Sequence, residues 1–321
     1  CLLQLADGFG RQAAELFLHA FLRDRIGSII RDTRFKMKLI VDSGSTKTDW
    51  CFADSSDVYV LVHTDGINPV VQSYDEMLSV VQKQMLPRAK QQSLDLTSLD
   101  EVYFYGAGCT PELRLAVEKA LRVAVGEKPS VYVDSDLLAA ARALCGTDYG
   151  IACILGTGSN SCYYDGEGIK EHTPALGYIL GDEGSGAVLG RIFINGILKG
   201  TLSRELRDEF LEEYQISQAD IIDKVYHSAT PNRFLASLSK FILPHIDDES
   251  LEALVVRNFE NFIISNIRNY SEAKPVINAV GSVAFLYRKQ LEQAAMLQGY
   301  ELGKILKSPL EGLLDYHFAN K

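Results

Sequence analysis

The chain opens with short apolar runs separated by polar turns, and helical segments then alternate with strands. The predicted strands are 38–42, 49–54, 57–63, 101–105 and 130–134, and the predicted helices are 74–90, 111–125 and the segment DLLAAARALCG that begins at Asp136. The first three strands follow one another through short turns, which is typical of an antiparallel meander. The later strands each lead into a helix, with Pro111 at a position suited to a first helical turn. This half of the chain is therefore predicted to form a mixed sheet.

The same pattern restarts near Gly150. Segment 150–168 reads as strand, glycine turn and strand, and it echoes segment 39–57. Helical periodicity dominates 184–270, and 274–286 returns to a strand, a glycine turn and a helix. Two related halves of the α/β class are predicted, each with a mixed sheet and with a cleft between them.

Composition and charge restrict the classes of function. The chain has 321 residues, of which 47% are hydrophobic and 23% charged. These values predict a globular protein of about two domains with a sizeable core. The net charge of −10 repels polyanions, so nucleic-acid binding is not expected. The sequence contains no run of about 18 apolar residues, so a membrane span is not predicted. Six cysteines without a CxxC pair predict reduced thiols in a cytoplasmic protein.

Residues 1–36 precede Met37 and the first predicted strand. They contain acidic residues and lack a small-residue cleavage site, so they match neither a signal peptide nor a transit peptide well. We expect an extension outside the fold, and a short interaction helix is the alternative.

The first turn with candidate chemistry joins the first two predicted strands, at Asp42–Thr48. Gly44 allows the backbone to approach a ligand closely. Ser45 and Thr46 offer hydroxyl and N–H donors to a phosphate, and Lys47 adds a positive charge. Asp42 could hold Mg²⁺ through water, because Mg²⁺ keeps much of its hydration shell. An ordinary hairpin turn uses the same residue types, so the turn alone leaves both interpretations open.

Three further glycine-rich segments follow. Thr157, Gly158 and Ser159 form a second nest of backbone donors, in a context that fits neither a P-loop nor a Rossmann motif. Segment 177–186 surrounds two adjacent acids with four glycines just before a helix. Helix capping would explain the acids but not the glycines. Gly281 and Ser282 form a turn from strand to helix that could pack against a planar base, although a plain βα turn is equally consistent.

Taken together and in this order, the four segments resemble the N-acetylglucosamine kinase family. That family belongs to the BadF/BadG-type ATPases of the sugar kinase, heat-shock protein 70 and actin superfamily. The resemblance runs from Met37 to about Leu297, and its most specific pieces are LGTGSNS and ALGYILGDEGSG. It implies an α/β fold of two ribonuclease H-like, actin-like ATPase lobes with mixed sheets and an interdomain cleft. The lobes would span 37–145, completed by a C-terminal helix at 308–321, and 146–307.

The resemblance also implies roles for individual residues, with ATP and Mg²⁺ as cofactors. The residues matched to the nucleotide are Gly44, Ser45, Thr46, Lys47, Thr157, Gly158, Ser159, Gly281 and Ser282, with Asp42 near the metal. The residues matched to the sugar are Asn68, Asp136, Ala175, Leu176, Gly177 and Asp182, and Asp136 is also the catalytic base. Two features depart from the family pattern. Leu176 stands where close relatives carry tryptophan, and Asp134 is a second acid beside the base.

The implied reaction is phosphoryl transfer from ATP to the 6-hydroxyl of an amino sugar, giving N-acetylglucosamine 6-phosphate from N-acetylglucosamine. The family also suggests a homodimer. Glucosamine and N-acetylmuramate remain alternative acceptors. A different class is an iron–sulfur ATPase activator of a radical dehydratase, for which Cys109 lacks a second cysteine in a matching motif. A non-catalytic sugar or nucleotide sensor is a further alternative, which would not need Asp136.

Overall fold

The computed structural model describes residues 37–44, 46–270 and 274–319. The predicted extension at 1–36 and the predicted phosphate contact of Ser45 lie outside the described residues.

The first half forms a mixed five-stranded sheet in the order β3-β2-β1-β4-β5. Its strands are β1 Met37–Ser43, β2 Lys47–Ala53, β3 Tyr59–Asp65, β4 Leu99–Gly106 and β5 Ser130–Ser135. The first three strands form the predicted antiparallel meander, whereas β1, β4 and β5 run parallel. The third strand begins two residues later than the predicted segment 57–63. The backbone N–H of Asp54 donates to the carbonyl of Val58 at 3.1 Å, and this bond places Asp57 and Val58 in the turn.

The second half repeats this arrangement in the order β10-β9-β6-β7-β8. Its strands are β6 Gly150–Leu155, β7 Ser159–Tyr164, β8 Ile169–His172, β9 Val276–Val280 and β10 Glu301–Leu306. Strands β6, β7 and β8 are antiparallel neighbours, and β9 and β10 continue the sheet in parallel with β6. Both glycine turns that were predicted to bind phosphate therefore join the first two strands of a sheet.

Helices connect the strands and cover the sheets. They are α1 Tyr74–Val80, α2 Leu86–Gln91, α3 Arg114–Val125, α4 Asp136–Cys145, α5 Gly177–Leu180, α6 Gly186–Lys199, α7 Arg204–Tyr214, α8 Gln218–Tyr226, α9 Pro231–Ser237, α10 Ser239–Ile242, α11 Glu249–Phe262, α12 Ser282–Leu286, α13 Arg288–Leu297 and α14 Leu310–Phe318. Two π-helical turns, Val81–Met85 and Ile263–Ile267, follow α1 and α11, and 3₁₀ turns occur at Leu96–Ser98 and Leu243–His245. The predicted helix start at Pro111 is wrong by three residues. The carbonyl of Thr110 accepts from both Leu113 N and Arg114 N in a turn, and regular helix begins only at Arg114.

The core has three parts. One buried cluster belongs to the first sheet and includes Trp50 and Phe104, and another belongs to the second sheet and its helices and includes Phe193 and Phe259. The third cluster contains residues of both sheets together with helices α4 and α14. These two helices therefore lie between the sheets and join the two halves by apolar packing.

The C-terminal helix α14 packs on the first sheet although it follows the second one in sequence. Lys38 Nζ donates to the carbonyl of His317 at 2.6 Å, and Tyr105 Oη lies 2.9 Å from His317 Nε2. Helix α14 thus contacts β1 and β4. That it completes the first lobe, and that the lobe boundary lies near 145, stay predictions. Within the described ranges, no helix is both long and apolar enough to cross a bilayer.

Candidate active site

The candidate residues cluster where the parallel strands end. In the first sheet, β1, β4 and β5 end at Ser43, Gly106 and Ser135, and in the second, β6 and β9 end at Leu155 and Val280. The carboxyl ends of parallel strands in α/β sheets are where ligands characteristically bind. The predicted turns at 42–48, 156–160 and 281–282 and the predicted base Asp136 all begin at these ends.

Ser43 fixes the first turn to the segment that carries Asn68. Its side chain is buried, with Oγ 2.7 Å from Thr48 Oγ1. The same Oγ donates to the carbonyl of Ile67 and accepts from its N–H, both at 3.0 Å. Gly44 N donates to Lys47 O at 2.9 Å and closes the hairpin. Sequence reasoning missed Ser43, whose one signal was a small polar residue at the end of an apolar strand.

Three carboxylates share one side of this turn. Asp42 pairs with Asp49 in the β1–β2 register, and strand alternation places Asp42 on the same face as Ile40, toward α4. Burial, and after it the negative charges of Asp136 and Asp49, together raise the pKa of Asp42 to about 7, against the opposing charge of Lys47. Lys47 Nζ pairs with Asp49 at 2.9 Å. The first turn therefore has an excess of negative charge beside Asp42.

That excess fits a divalent cation, which would relieve the repulsion that raises the pKa of Asp42. In the described part of the chain, no three histidine, cysteine or acidic side chains converge to enclose a metal ion. Mg²⁺ bound by nucleotide phosphates needs no such cage, because it keeps several waters and uses one or two carboxylates. The residues around Asp42 thus suit a water-mediated Mg²⁺ and not a structural metal site.

Asp136 is the first residue of α4. Ser135 caps this helix by accepting from Leu138 N at 3.2 Å. Burial raises the pKa of Asp136, while hydrogen bonds from the backbone N–H groups of Leu137 and of Asp136 itself oppose the shift. Because Asp136 also contributes to the raised pKa of Asp42, the two carboxyl groups are electrostatic neighbours.

Asp134, the competing acid, occupies a different environment. Its Oδ1 accepts from Arg114 at 2.8 Å and from the backbone N–H of Ser135 at 2.8 Å. Asp134 is therefore held in an ion pair, whereas Asp136 lies beside Asp42.

Asn68 is buried in the loop after β3. Its Oδ1 accepts from Val70 N at 3.0 Å, and its own backbone N–H donates to Gln72 Oε1 at 2.8 Å. Gly108 has a φ of +75°, and a Cβ there would collide with Asn68 Oδ1. The loop after β4 therefore needs glycine to bring its backbone against the Asn68 amide.

The second turn is held by the start of α6. Gly156 O accepts from Gly186 N at 2.8 Å, and Thr157 O accepts from Ala187 N at 3.1 Å. A Cβ built on Gly156 would meet no atom within 4 Å. The carbonyls of the turn are thus bonded on one side, and its other side is open to a ligand.

Asp182 contacts this second turn. It has a left-handed φ of 54°, and its carboxylate accepts from the backbone N–H of Ser159. A Cβ on Gly158 would lie 3.0 Å from Asp182 Oδ2. Burial raises the pKa of Asp182, and the Ser159 hydrogen bond opposes that shift. The predicted sugar ligand is therefore tied to the predicted phosphate turn, a coupling that the sequence did not indicate.

The segment Ala175–Gly177 lies on the surface of the second lobe. Leu176 is 59% exposed, and Gly181 N donates to Gly177 O at 2.8 Å to close the short helix α5. Helix α5 and Gly181 connect this segment to Asp182 along the chain.

Gly281 lies against the second turn from the other side. Its φ is +126°, and a Cβ would collide with the carbonyl of Leu155 at the end of β6. Its N–H donates to Leu306 O at 3.0 Å. Gly281 therefore ties together the ends of β6, β9 and β10, and Ser282 begins α12 on the exposed side.

Cys109, the cysteine considered for an iron–sulfur cluster, is buried. Burial raises the pKa of its thiol to about 12, and the nearby charge of Asp136 adds to the shift. Cluster ligands are thiolates, so this environment is unsuited to that role.

Comparison with family models finds no match, and neither does comparison with curated proteins. Solved structures do match. A Porphyromonas gingivalis protein is 47% identical, with a TM-score of 0.84 over 88% of this chain and 99% of its own. A Chromobacterium violaceum protein is 18% identical, with a TM-score of 0.67 over 88% of this chain and 99% of its own. Both are described as putative N-acetylglucosamine kinases.

A third match is a ROK family glucokinase from Streptomyces griseus in complex with glucose and AMPPNP. It is 14% identical, with a TM-score of 0.50 over 87% of this chain and 97% of its own, a likeness of fold only. The two mixed five-stranded sheets and this likeness identify the two-domain actin-like ATPase fold. With 47% identity over almost the whole length of the Porphyromonas gingivalis protein, the chain belongs to the N-acetylglucosamine kinase family of actin-like ATPases.

Proposed function

We propose that this protein transfers the γ-phosphoryl group of ATP to the 6-hydroxyl of N-acetylglucosamine. The observation that carries the proposal is the position of Asp136, a half-buried carboxyl at the start of α4 beside Asp42. The name of the Porphyromonas gingivalis relative, 47% identical, supplies the acceptor sugar.

Asp136 is the proposed general base. A raised pKa makes a carboxylate a stronger proton acceptor, and such bases typically contribute about 10²–10⁴-fold to rate. The proton of the sugar 6-hydroxyl moves to Asp136 as the oxygen attacks phosphorus. The N–H groups of Leu137 and Asp136 hold the carboxylate oxygens and orient them.

The two glycine turns are the proposed phosphate sites. Backbone N–H groups at Thr46, Thr157 and Gly158 would bind the phosphate oxygens, Gly44 and Ser159 would shape the two turns, and Lys47 would add a positive charge. When bound, Mg²⁺ neutralises charge on the β- and γ-phosphates, which phosphoryl transfer needs more than covalent chemistry. Asp42 would hold it through water. Gly281 and Ser282 would face the adenosine.

Asn68, Asp182 and the segment Ala175–Gly177 are the proposed sugar ligands. Asn68 has a pre-set amide, because Val70 N already orients its oxygen. Asp182, whose carboxylate bonds the second phosphate turn, would link the sugar to the phosphates. Leu176 replaces an aromatic residue of the family with a smaller apolar one, so the acceptor pocket would keep an apolar wall.

The direct test is an ATP-coupled assay of the purified protein against N-acetylglucosamine, glucosamine, N-acetylmuramate and glucose, with ³¹P NMR of the product. We expect the highest kcat/KM with N-acetylglucosamine and a phosphate on the 6-oxygen. Equal ADP release without any sugar, or strict preference for another acceptor, would overturn the assignment. Localisation in the cytoplasm and assembly as a homodimer belong to the same proposal. Light scattering of the protein in solution tests the dimer.

A further inference from the structure

Asn258 is a buried polar residue on the apolar face of α11. It is 1% exposed, and its buried neighbours on the helix include Leu251, Val255, Phe259 and Phe262. Burying an amide costs free energy unless its polar atoms are bonded. Asn258 is fully engaged, and its partners belong to the loop that carries Asp182.

The Asn258 amide bonds two backbone groups of this loop, one N–H and one carbonyl. Its Oδ1 accepts from Gly184 N at 3.0 Å, and its Nδ2 donates to Ser185 O at 3.3 Å. Gly184 has a left-handed φ of +78°, and a Cβ there would lie 2.8 Å from the Cβ of Phe262. The loop is therefore pressed against α11 and locked there by the amide.

This stretch of backbone determines where the second phosphate turn lies. Ser185 caps α6 by accepting from Val188 N at 3.1 Å. The next two N–H groups, of Gly186 and Ala187, donate to the carbonyls of Gly156 and Thr157. A displacement of the Gly184–Ser185 peptide would therefore be transmitted through α6 to the turn at 156–158.

The helix also contacts this loop two turns after Asn258, at Asn266. Positions four apart in an α-helix drift by about 40° around the axis, so a regular helix would turn Asn266 partly away from the face of Asn258. The wider π turn Ile263–Ile267 follows directly, and such turns frequently occur at functional sites. Beyond α11, Asn266 Nδ2 reaches Glu183 Oε2 at 3.5 Å, and its carbonyl accepts from Thr173 Oγ1 at 2.8 Å. The helix thus contacts the acidic loop at several points.

We infer that Asn258 is a positioning residue that sets the second phosphate turn and Asp182 in place for nucleotide binding. The inference rests on the proposed function, because it assigns the turn at 156–159 to ATP. Asn258 touches no substrate in this arrangement and acts through Gly184, Ser185 and the start of α6.

The test compares Asn258→Leu with Gln290→Leu. Gln290 on α13 is also buried and donates to Glu252 of α11 at 3.0 Å, but it bonds none of the loop. Asn258→Leu loses two buried hydrogen bonds and Gln290→Leu loses one partly buried bond, both on α11. We expect Asn258→Leu to raise the KM for ATP by about ten-fold or more, equivalent to ~1.4 kcal/mol of binding, and Gln290→Leu to leave it near wild type. Asn258→Ala also removes both bonds but leaves space in which water can bond the freed Gly184 N and Ser185 O, so an intermediate effect is expected.

Hydrogen exchange gives a readout independent of activity. Amides of 184–188 should exchange faster in Asn258→Leu than in Gln290→Leu when both are folded. If Asn258→Leu does not fold, Asn258→Ala carries the same comparison. Equal KM values and equal exchange in the two variants would overturn the inference while the wild-type enzyme remained an active kinase. A wild-type protein that bound no AMPPNP in calorimetry would instead remove the proposed function, and the nucleotide role of Asn258 with it.

Discussion

At the scale of single residues, the base assignment depends on the different environments of two neighbouring acids. Asp136 lies half-buried beside Asp42, and Asp134 is in an ion pair with Arg114. Asp136→Asn keeps the shape of the side chain but cannot accept the proton. We expect kcat to fall by about 10²–10⁴-fold. Calorimetry should show that binding of AMPPNP and sugar persists.

Asp134→Asn is the matched control for that substitution. It weakens the ion pair with Arg114 and retains the neighbouring base, so a small stability loss and near-normal turnover are expected. If turnover collapsed in Asp134→Asn and survived in Asp136→Asn, the roles of the two acids would be exchanged.

The pKa of Asp42, raised from 3.8 to about 7, makes stability depend on pH. Between these values the folded protein binds a proton that the unfolded chain has released, so stability falls as pH rises through this window. Asp42→Asn removes the ionisation. Its melting temperature relative to wild type should therefore increase from pH 4 to pH 7 and level off above.

The measurement is thermal unfolding of the nucleotide-free protein across pH 4–8, with the exposed Asp57→Asn as control. A constant difference across this range would contradict the electrostatic account. Mg²⁺ held through water at Asp42, as proposed, would compete with the proton there, so the activity of the wild type at low Mg²⁺ should also rise with pH toward 7.

At the scale of elements, the hydrophobic pattern identified most strands and helices because each element has one buried face. The repeated strand–glycine–strand pattern predicted that both candidate phosphate turns are hairpins, and the structure confirms this. The start of α3 was missed because the turn after Thr110 satisfies the same backbone groups as a first helical turn. Whether a segment forms a turn or the first turn of a helix depends on tertiary packing, which hydrophobic periodicity does not reveal.

Contacts between elements could not be predicted from the sequence for a related reason. Asn258 is one of five polar residues in LEALVVRNFENF, and nothing in that pattern identifies its partners at Gly184 and Ser185. The bond between Asp182 and Ser159 N likewise joins residues 23 positions apart in different elements. The many glycines predicted tight turns in these loops. Identifying the residues that each loop contacts required the three-dimensional structure.

Gly281 tests whether the ends of β6, β9 and β10 form the nucleotide site together. Gly281→Ala places a methyl group against the carbonyl of Leu155 in a backbone conformation that alanine rarely adopts, so the strand ends must separate. We expect the KM for ATP to rise by about ten-fold or more, with a smaller change for the sugar.

The control for Gly281→Ala is Gly299→Ala. Gly299 also has positive φ, at +81°, but a Cβ there meets nothing within 4 Å. Gly299→Ala therefore introduces the same kind of backbone strain as Gly281→Ala, without a collision. Equal effects of the two substitutions on the KM for ATP would mean that strain alone accounts for the change.

At the scale of the whole molecule, the two sheets are joined through α4 and α14, which share one apolar cluster with both of them. The helices cross closely at Gly312, where a Cβ would collide with the carbonyl of Ala143. Because α4 begins with Asp136, this crossing also connects the packing between the lobes to the base.

Gly312→Ala would force this crossing apart. Overpacking of this kind typically costs about 1–3 kcal/mol, which urea unfolding can measure. Since both sheets pack on these helices, we expect kcat to fall and the KM values for ATP and sugar to rise together, unlike the nucleotide-specific effect of Gly281→Ala. The control is Gly168→Ala, at a loop position where an added Cβ meets nothing within 4 Å. A Gly312→Ala variant with wild-type stability and kinetics would show that the lobes do not depend on this contact. Loss of stability with unchanged kinetics would separate the packing of α14 from the alignment of Asp136.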